Sequence, residues 1–168
     1  MDMKKWKDIS DKVNTIVSYT GLVFFVVLIA ACVSQVFFRF VLNHSLSWTE
    51  ELARYAFIWM HLLGTSLLIA GSGHATVTVI LDAMSGGLKK AFRLFIELVI
   101  LVNGMVMTYA GVMLSWLSRA NESTALSIPM YLINISVAVG GLLLVFQAAA
   151  KMILIAGDYQ VEEEKPVL

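Results

Sequence analysis

Four long apolar runs alternate with polar stretches along the chain, and this alternation is its dominant pattern. Each run is long enough for a helix that crosses a hydrocarbon core of roughly 30 Å. Because lipid offers the backbone no hydrogen bonds, helices are the expected form of such segments. The sequence therefore predicts an all-α integral membrane protein with a single membrane domain over residues 1–168. We predict transmembrane helices at 16–38, 55–73, 94–118 and 128–150.

The polar stretches supply the termini and the connections between these helices. They are a terminus at 1–15, connections at 39–54, 74–93 and 119–127, and a tail at 151–168. Short amphipathic helix segments at the membrane surface are expected in the first two of them. In residues 74–87 threonines alternate with apolar residues as in a strand, but an isolated strand is unstable against lipid. We therefore expect an interfacial turn or a short helix there.

The distribution of Lys and Arg predicts the orientation, because cytoplasmic loops of membrane proteins are enriched in these residues. Nine of the twelve lie in the N-terminal stretch, the middle connection and the C-terminal tail. The other three lie in the first and third connections. Both termini are therefore expected in the cytoplasm, with 39–54 and 119–127 on the outer, periplasmic side.

Residues 47–54 have the form of a charged helix start. Ser47 and Glu50 have the spacing of a capping box, in which each side chain bonds the backbone N–H of the other residue. Glu50 and Glu51 lie in the first turn, where negative charge suits the helix dipole. Arg54 can pair with either of them along one helix face.

Two further patterns concern the fourth and the second predicted helices. Ser127 precedes the fourth run and Pro129 is its second residue, and they are expected to supply the helix cap and an early proline in the first turn. At the second run, spacings of four, three and four residues predict a mainly aromatic stripe along one helix face. Its members are Trp48, Leu52, Tyr55 and Trp59.

The third run contains polar and small residues whose spacing suggests their partners. Glu97 follows Arg93 by four residues, so we expect an ion pair near the headgroups. Gly104 and Gly111 lie on nearly one face, where small residues allow close helix approach. The uncharged polar residues inside the runs are expected to form hydrogen bonds between helices.

Composition supports the membrane prediction and excludes several other classes. Hydrophobic residues make up 59% of the chain and charged residues 14%, whereas soluble domains are nearer one half and one quarter. Twelve basic and twelve acidic residues cancel, so no overall field favours nucleic acid. With Cys32 alone, neither an intrachain disulfide framework nor a thiol-based zinc cluster is possible.

The sequence offers no evident catalytic machinery. The middles of the apolar runs lack Asp, Glu, Lys and Arg, which are retained at that depth mainly for function. Nucleophile elbows, phosphate loops and metal-spaced carboxylates are absent, so we expect no catalytic, metal-binding or cofactor-binding residues. His61 could serve as an axial haem ligand, which leaves the membrane anchor of a redox enzyme as an alternative function.

The stretch 39–64 resembles the small membrane subunit (Q subunit, DctQ-like) of tripartite ATP-independent periplasmic (TRAP) transporters. Weaker resemblance is found at residues 74–79, at Pro129 and at Gly140. Positions that match the family and are candidates for subunit contacts or structural roles are Arg39, Asn43, Ser47, Trp48, Glu50, Glu51, Arg54, Tyr55, Trp59, Gly64, His74 and Pro129.

The resemblance implies a multi-pass protein of the bacterial inner membrane that acts as a non-catalytic scaffold. In that family a periplasmic binding protein delivers an organic carboxylate to a large membrane subunit, which moves it with a sodium gradient. The implied partners are therefore these two proteins and the lipid bilayer, without nucleic acid. Sodium is expected at the large subunit, and C4-dicarboxylates, keto acids and sialic acids are the implied substrate classes.

Overall fold

A computed structural model describes residues 3–44, 46–71 and 87–156, which form four long helices. They are α1 (Met3–Phe40), α2 (Ser47–Ala70), α3 (Gly87–Leu117) and α4 (Tyr131–Ala156). All four contain a segment long and apolar enough to cross a membrane. The predicted all-α architecture with four candidate transmembrane helices is confirmed.

The helices are longer than the apolar runs that led to their prediction. The polar residues 3–15 continue without a break into the apolar part of α1, and α2 already begins at Ser47. The predicted turn or short helix at 74–87 lies outside the described residues except for Gly87, where α3 begins. His74 and the tail beyond residue 156 lie outside them as well.

The four helices pack in the spatial order α1, α2, α4, α3. The fourth helix lies between α2 and α3, while α1 packs mainly against α2 and touches α4 only slightly. Within the described segments, α3 makes no contact with α1 or α2. The helices therefore form an open array, in which α4 is the most buried member and one side of both α1 and α3 remains exposed.

Aromatic and polar contacts join α1 to its neighbours. The rings of Phe24 and Trp59 stack with centroids 5.5 Å apart and planes only 7° from parallel. Nearer the N-terminus of α1, the Asn14 side-chain oxygen accepts a hydrogen bond from the amide of Gln147 on α4, a side chain that is 1% exposed. The hydrogen bond pairs two amide groups that would be costly to leave unpaired against lipid.

Glycines bring α3 and α4 into close contact. A Cβ atom at Gly111 would lie 2.3 Å from the backbone nitrogen of Ala138, and one at Gly104 would lie 2.9 Å from the Gly141 carbonyl oxygen. A Cβ at Gly141 would in turn lie 2.6 Å from the backbone nitrogen of Thr108. The prediction that Gly104 and Gly111 permit close helix approach is confirmed.

Several polar side chains bond within their own helix, where the sequence led us to expect partners on another helix. The hydroxyls of Thr65 and Thr108 each donate to the carbonyl four residues earlier, at 2.8 and 2.7 Å. Ser66 and Ser136 donate to the carbonyl three residues earlier. The expectation of interhelical bonds was therefore wrong for these short hydroxyl side chains, which reach their own helix backbone first.

We predict that Gly111→Ala destabilises the isolated protein, because the added methyl group meets the α4 backbone. Overpacking of this kind costs about 1–3 kcal/mol. The measurement is the thermal unfolding midpoint in mild detergent. Gly64→Ala is the matched control, since a Cβ at Gly64 meets nothing within 4 Å. Equal midpoints for the two variants would contradict the close packing of α3 on α4.

Candidate functional site

The start of α2 has no side-chain cap. Leu46 occupies the cap position in an extended conformation, and no side chain bonds the first turn there. Because Ser47 already lies inside the helix, its hydroxyl is not at the cap, and the predicted capping box is wrong. The buried hydroxyl of Thr49 instead donates to the Leu46 carbonyl at 2.7 Å.

Glu51, and not Glu50, is the carboxylate that α2 buries at this end. It is 9% exposed, and its Oε1 accepts a hydrogen bond from the Tyr55 hydroxyl at 2.7 Å. Its Oε2 accepts from the backbone N–H groups of Ala125 at 3.0 Å and Leu126 at 2.8 Å. We call these four residues the Glu51 clamp. It joins the start of α2 to the connection between α3 and α4.

The connection at 118–130 is folded by its own hydrogen bonds. The Ser123 backbone N–H donates to the Ile128 carbonyl at 2.9 Å, and the Ser123 hydroxyl accepts from the Ile128 N–H at 3.1 Å. Ser127 adopts a left-handed conformation with φ of 50°, and Met130 N–H donates to the Asn121 carbonyl at 2.9 Å. These bonds orient two adjacent N–H groups toward Glu51.

The start of α4 differs from the prediction. The helix begins at Tyr131 and not at residue 128, so Ser127 is not its cap. Pro129 lies just before the helix, where its carbonyl accepts from the Leu132 N–H at 3.1 Å. The Asn134 side chain donates to the Ser118 hydroxyl at 2.7 Å, which ties the first turn of α4 to the end of α3.

The predicted charge pair lies on the exposed surface of α2, and the residues of the predicted aromatic stripe lie in different surroundings. Arg54 pairs with Glu50 and not with Glu51, at 3.5 Å, and both side chains are about two-thirds exposed. An exposed pair of this kind contributes little to stability. In the predicted stripe, Trp59 packs on α1 and Tyr55 joins the clamp, whereas Trp48 is exposed. The stripe therefore does not form one continuous surface.

The remaining predicted site residues are exposed or peripheral to the clamp. Arg39 lies over the Phe40 ring with 5.7 Å between guanidinium carbon and centroid, and Asn43 adopts φ of 50° in the turn that follows α1. Gly64 lies on α2 with free space beside it. His61 is exposed and stacks on Phe57 at 5.8 Å.

A second buried polar cluster lies at the opposite end of the helices. The Glu97 carboxylate is 8% exposed, and its Oε2 has no hydrogen-bond partner within the part of the chain that the structure describes. Lys151 on α4 is the nearby opposite charge, but its ammonium does not form an ion pair with Glu97 and donates to the Gly71 carbonyl at 2.9 Å. The predicted ion pair with Arg93 is wrong, because Glu97 points toward α4 along the same face as the packing glycines.

Neither cluster resembles a catalytic or metal site. No group of three or more His, Cys, Asp or Glu side chains that could hold a metal occurs within 3–44, 46–71 and 87–156. The donors and acceptors of the Glu51 clamp are already paired with one another. The clamp therefore connects helices, and its chemistry is structural.

Comparisons with known proteins identify the kind of protein to which this chain is similar. Residues 28–157 match the family model described as "Tripartite ATP-independent periplasmic transporters, DctQ component". The chain is 27% identical over 152 residues to the sialic acid TRAP transporter small permease protein SiaQ of Vibrio cholerae, covering 90% of this chain and 86% of that protein. It is also 23% identical over 100 residues to the sialic acid TRAP transporter permease protein SiaT of Haemophilus influenzae, covering 60% of this chain and 16% of that protein.

We predict that Glu51→Ala loosens the connection at 118–130, because the N–H groups of Ala125 and Leu126 lose their acceptor. Their amide hydrogens should exchange faster and the thermal midpoint should fall. Glu51→Gln keeps one carbonyl oxygen and should show an intermediate effect. Glu50→Ala removes an exposed carboxylate from the same turn and is the control. If Glu50→Ala and Glu51→Ala exchange alike, the clamp does not hold the connection.

For the opposite end, we predict that Lys151→Met lowers the thermal midpoint more than Arg93→Met does. The first change removes both the bond to the Gly71 carbonyl and the positive charge that acts on buried Glu97. Leaving a buried charge without its partner is strongly destabilising, so adding Glu97→Gln should recover part of the loss. A larger loss in Arg93→Met would show that Arg93 is the true partner of Glu97.

Proposed function

This chain belongs to the DctQ component family of tripartite ATP-independent periplasmic (TRAP) transporters, and from that membership we propose that it is the static scaffold of a sodium-coupled carboxylate importer. As a small permease component it is part of a transporter and not an enzyme. The observation that carries the proposal is the family match, which extends from within α1 to just beyond the end of α4. It also favours transport over the alternative of a haem-bearing redox anchor.

The proposed partners are a large membrane subunit and a periplasmic substrate-binding protein. Membership of the family implies that this chain works with other TRAP subunits. We propose that the large subunit binds sodium and moves the substrate, while this chain binds no cofactor. Both termini lie in the cytoplasm in this proposal, so the Glu51 clamp faces the periplasm of a bacterial inner membrane.

The proposed substrate is an organic carboxylate, with sialic acid as the first candidate. Both relatives carry sialic acid in their names. C4-dicarboxylates and keto acids remain in the proposal as further substrate classes, because the residues that select the substrate are expected on the other subunits.

Packing within the array supports the scaffold role. A static scaffold has to resist movement while a neighbouring part of the transporter slides. Close glycine contacts fix α3 against α4, and the Glu51 clamp fixes the connection of those helices against α2. Close-packed interiors have low compressibility, so this packing resists deformation of the array.

We predict that proteoliposomes require this chain for sodium-driven uptake of labelled sialic acid, together with the large subunit and the binding protein. Liposomes with this chain alone should neither bind nor accumulate the substrate. Unlabelled C4-dicarboxylate and keto acid are added as competitors to define the substrate class. Equal uptake without this chain would contradict the scaffold role. A haem absorption band that disappears in His61→Ala would favour the redox anchor.

A further inference from the structure

One face of α2 is left uncovered by the helices that surround it. Spacings of four, three, four, three and four residues place six side chains along this face. The opposite sides of α2 are occupied, since Trp59 stacks on α1 and Leu62 packs against Gly140 of α4. We call the uncovered residues the α2 stripe, which consists of Glu50, Arg54, Phe57, His61, Gly64 and Leu68.

His61 makes this stripe a poor surface for lipid. It lies near the middle of α2, and its exposed ring stacks on Phe57 without a hydrogen bond to any residue that the structure describes. Acyl chains have no donor or acceptor for the two ring nitrogens, and polar groups within the membrane face protein or water-filled cavities. The exposed sides of α1 and α3 present many large aliphatic and aromatic residues, and Asn103 near the middle of α3 is an exposed amide among them.

Gly64 provides room for a second helix one turn away from His61. A Cβ atom there would meet nothing within 4 Å, whereas the spaces beside Gly104, Gly111 and Gly141 are filled by the neighbouring helix. Small residues in membrane helices allow the backbones to approach closely. Gly64 therefore offers the kind of contact that already joins α3 to α4, but without an occupant from this chain.

The exposed pair of Glu50 and Arg54 extends the α2 stripe to the N-terminal end of α2. The two side chains are 3.5 Å apart and contribute little to this chain's own stability. Their opposite charges can bond complementary groups of a neighbouring protein, which would fix the register of a helix lying along the stripe.

We propose that the α2 stripe is the docking surface for a transmembrane helix of the large permease subunit. That helix carries a hydrogen-bonding side chain opposite His61 and a larger side chain over Gly64. The inference rests on the proposed function, which supplies a membrane-embedded partner. It adds the surface by which this chain holds that partner and leaves the exposed sides of α1 and α3 to lipid.

The first test is Gly64→Leu in the full chain, co-expressed with the large subunit, whose identity is verified by mass spectrometry. We expect association about tenfold weaker than wild type, because the leucine fills the space of the incoming helix. Gly87→Leu is the control, since a Cβ at Gly87 also meets nothing within 4 Å. Wild-type association of Gly64→Leu, or an equal loss in Gly87→Leu, would overturn the proposal. If the wild-type chain itself did not associate, the proposed function would fail.

A second test uses substitutions at exposed positions and so avoids variants that could fail to fold. The photocrosslinking residue p-benzoylphenylalanine replaces Phe57 or Leu68 in the stripe, with Val23 on α1 and Val106 on α3 as exposed controls. We expect crosslinks to the large subunit from the two stripe positions and crosslinks to lipid from the two controls. Crosslinks to lipid from Phe57 and Leu68, or to the large subunit only from Val23 or Val106, would overturn the proposal.

Discussion

The carboxylate of Glu51 connects two parts of the chain that are more than seventy residues apart in sequence. Three donors converge on it, namely the Tyr55 hydroxyl and the backbone N–H groups of Ala125 and Leu126. Both N–H groups belong to a connection whose own bonds orient them toward α2. Glu51 is therefore the main polar link between α2 and the α3–α4 connection at this end, where the Tyr55 hydroxyl also contacts the Met130 sulfur at 3.6 Å. Without it, two part-buried backbone donors would have no acceptor, a costly arrangement in a protein.

The open array of helices depends equally on α4. This helix lies between α2 and α3, and its glycines and alanines let α3 approach until backbone atoms are in contact. Van der Waals packing of this kind is the main attraction between helices in lipid, where there is no hydrophobic driving force between them. Because the array does not close on itself, α2 keeps a stripe of mixed polar and apolar residues that its own neighbours do not cover. An open array thus suits a protein that presents one surface to a partner.

Hydropathy and local motifs predicted the elements of this protein, but not the partners of its polar residues. Long apolar runs identified the four helices, and the residues between 39 and 64 identified the family. The capping box failed because Ser47 lies inside the first turn, a shift of one residue that the sequence pattern does not resolve. Two of the three partners of Glu51 are backbone N–H groups, which every residue except proline has, so no residue type could indicate them. Similarly, Glu97 had a suitable neighbour in Arg93, and only the packing of α3 on α4 brings Lys151 close to it.

The central claim is that this chain stays in one arrangement while its partner moves, and a distance measurement inside the assembled transporter tests it most directly. With Cys32 replaced by alanine, spin labels at Val41 and Thr124, both exposed, report the separation between the end of α1 and the α3–α4 connection. Pulsed electron paramagnetic resonance would compare the complex with and without sodium and substrate. We expect one distance distribution that is the same in both conditions. A second population that appears with sodium and substrate would show that this chain moves during transport, which would contradict a static scaffold.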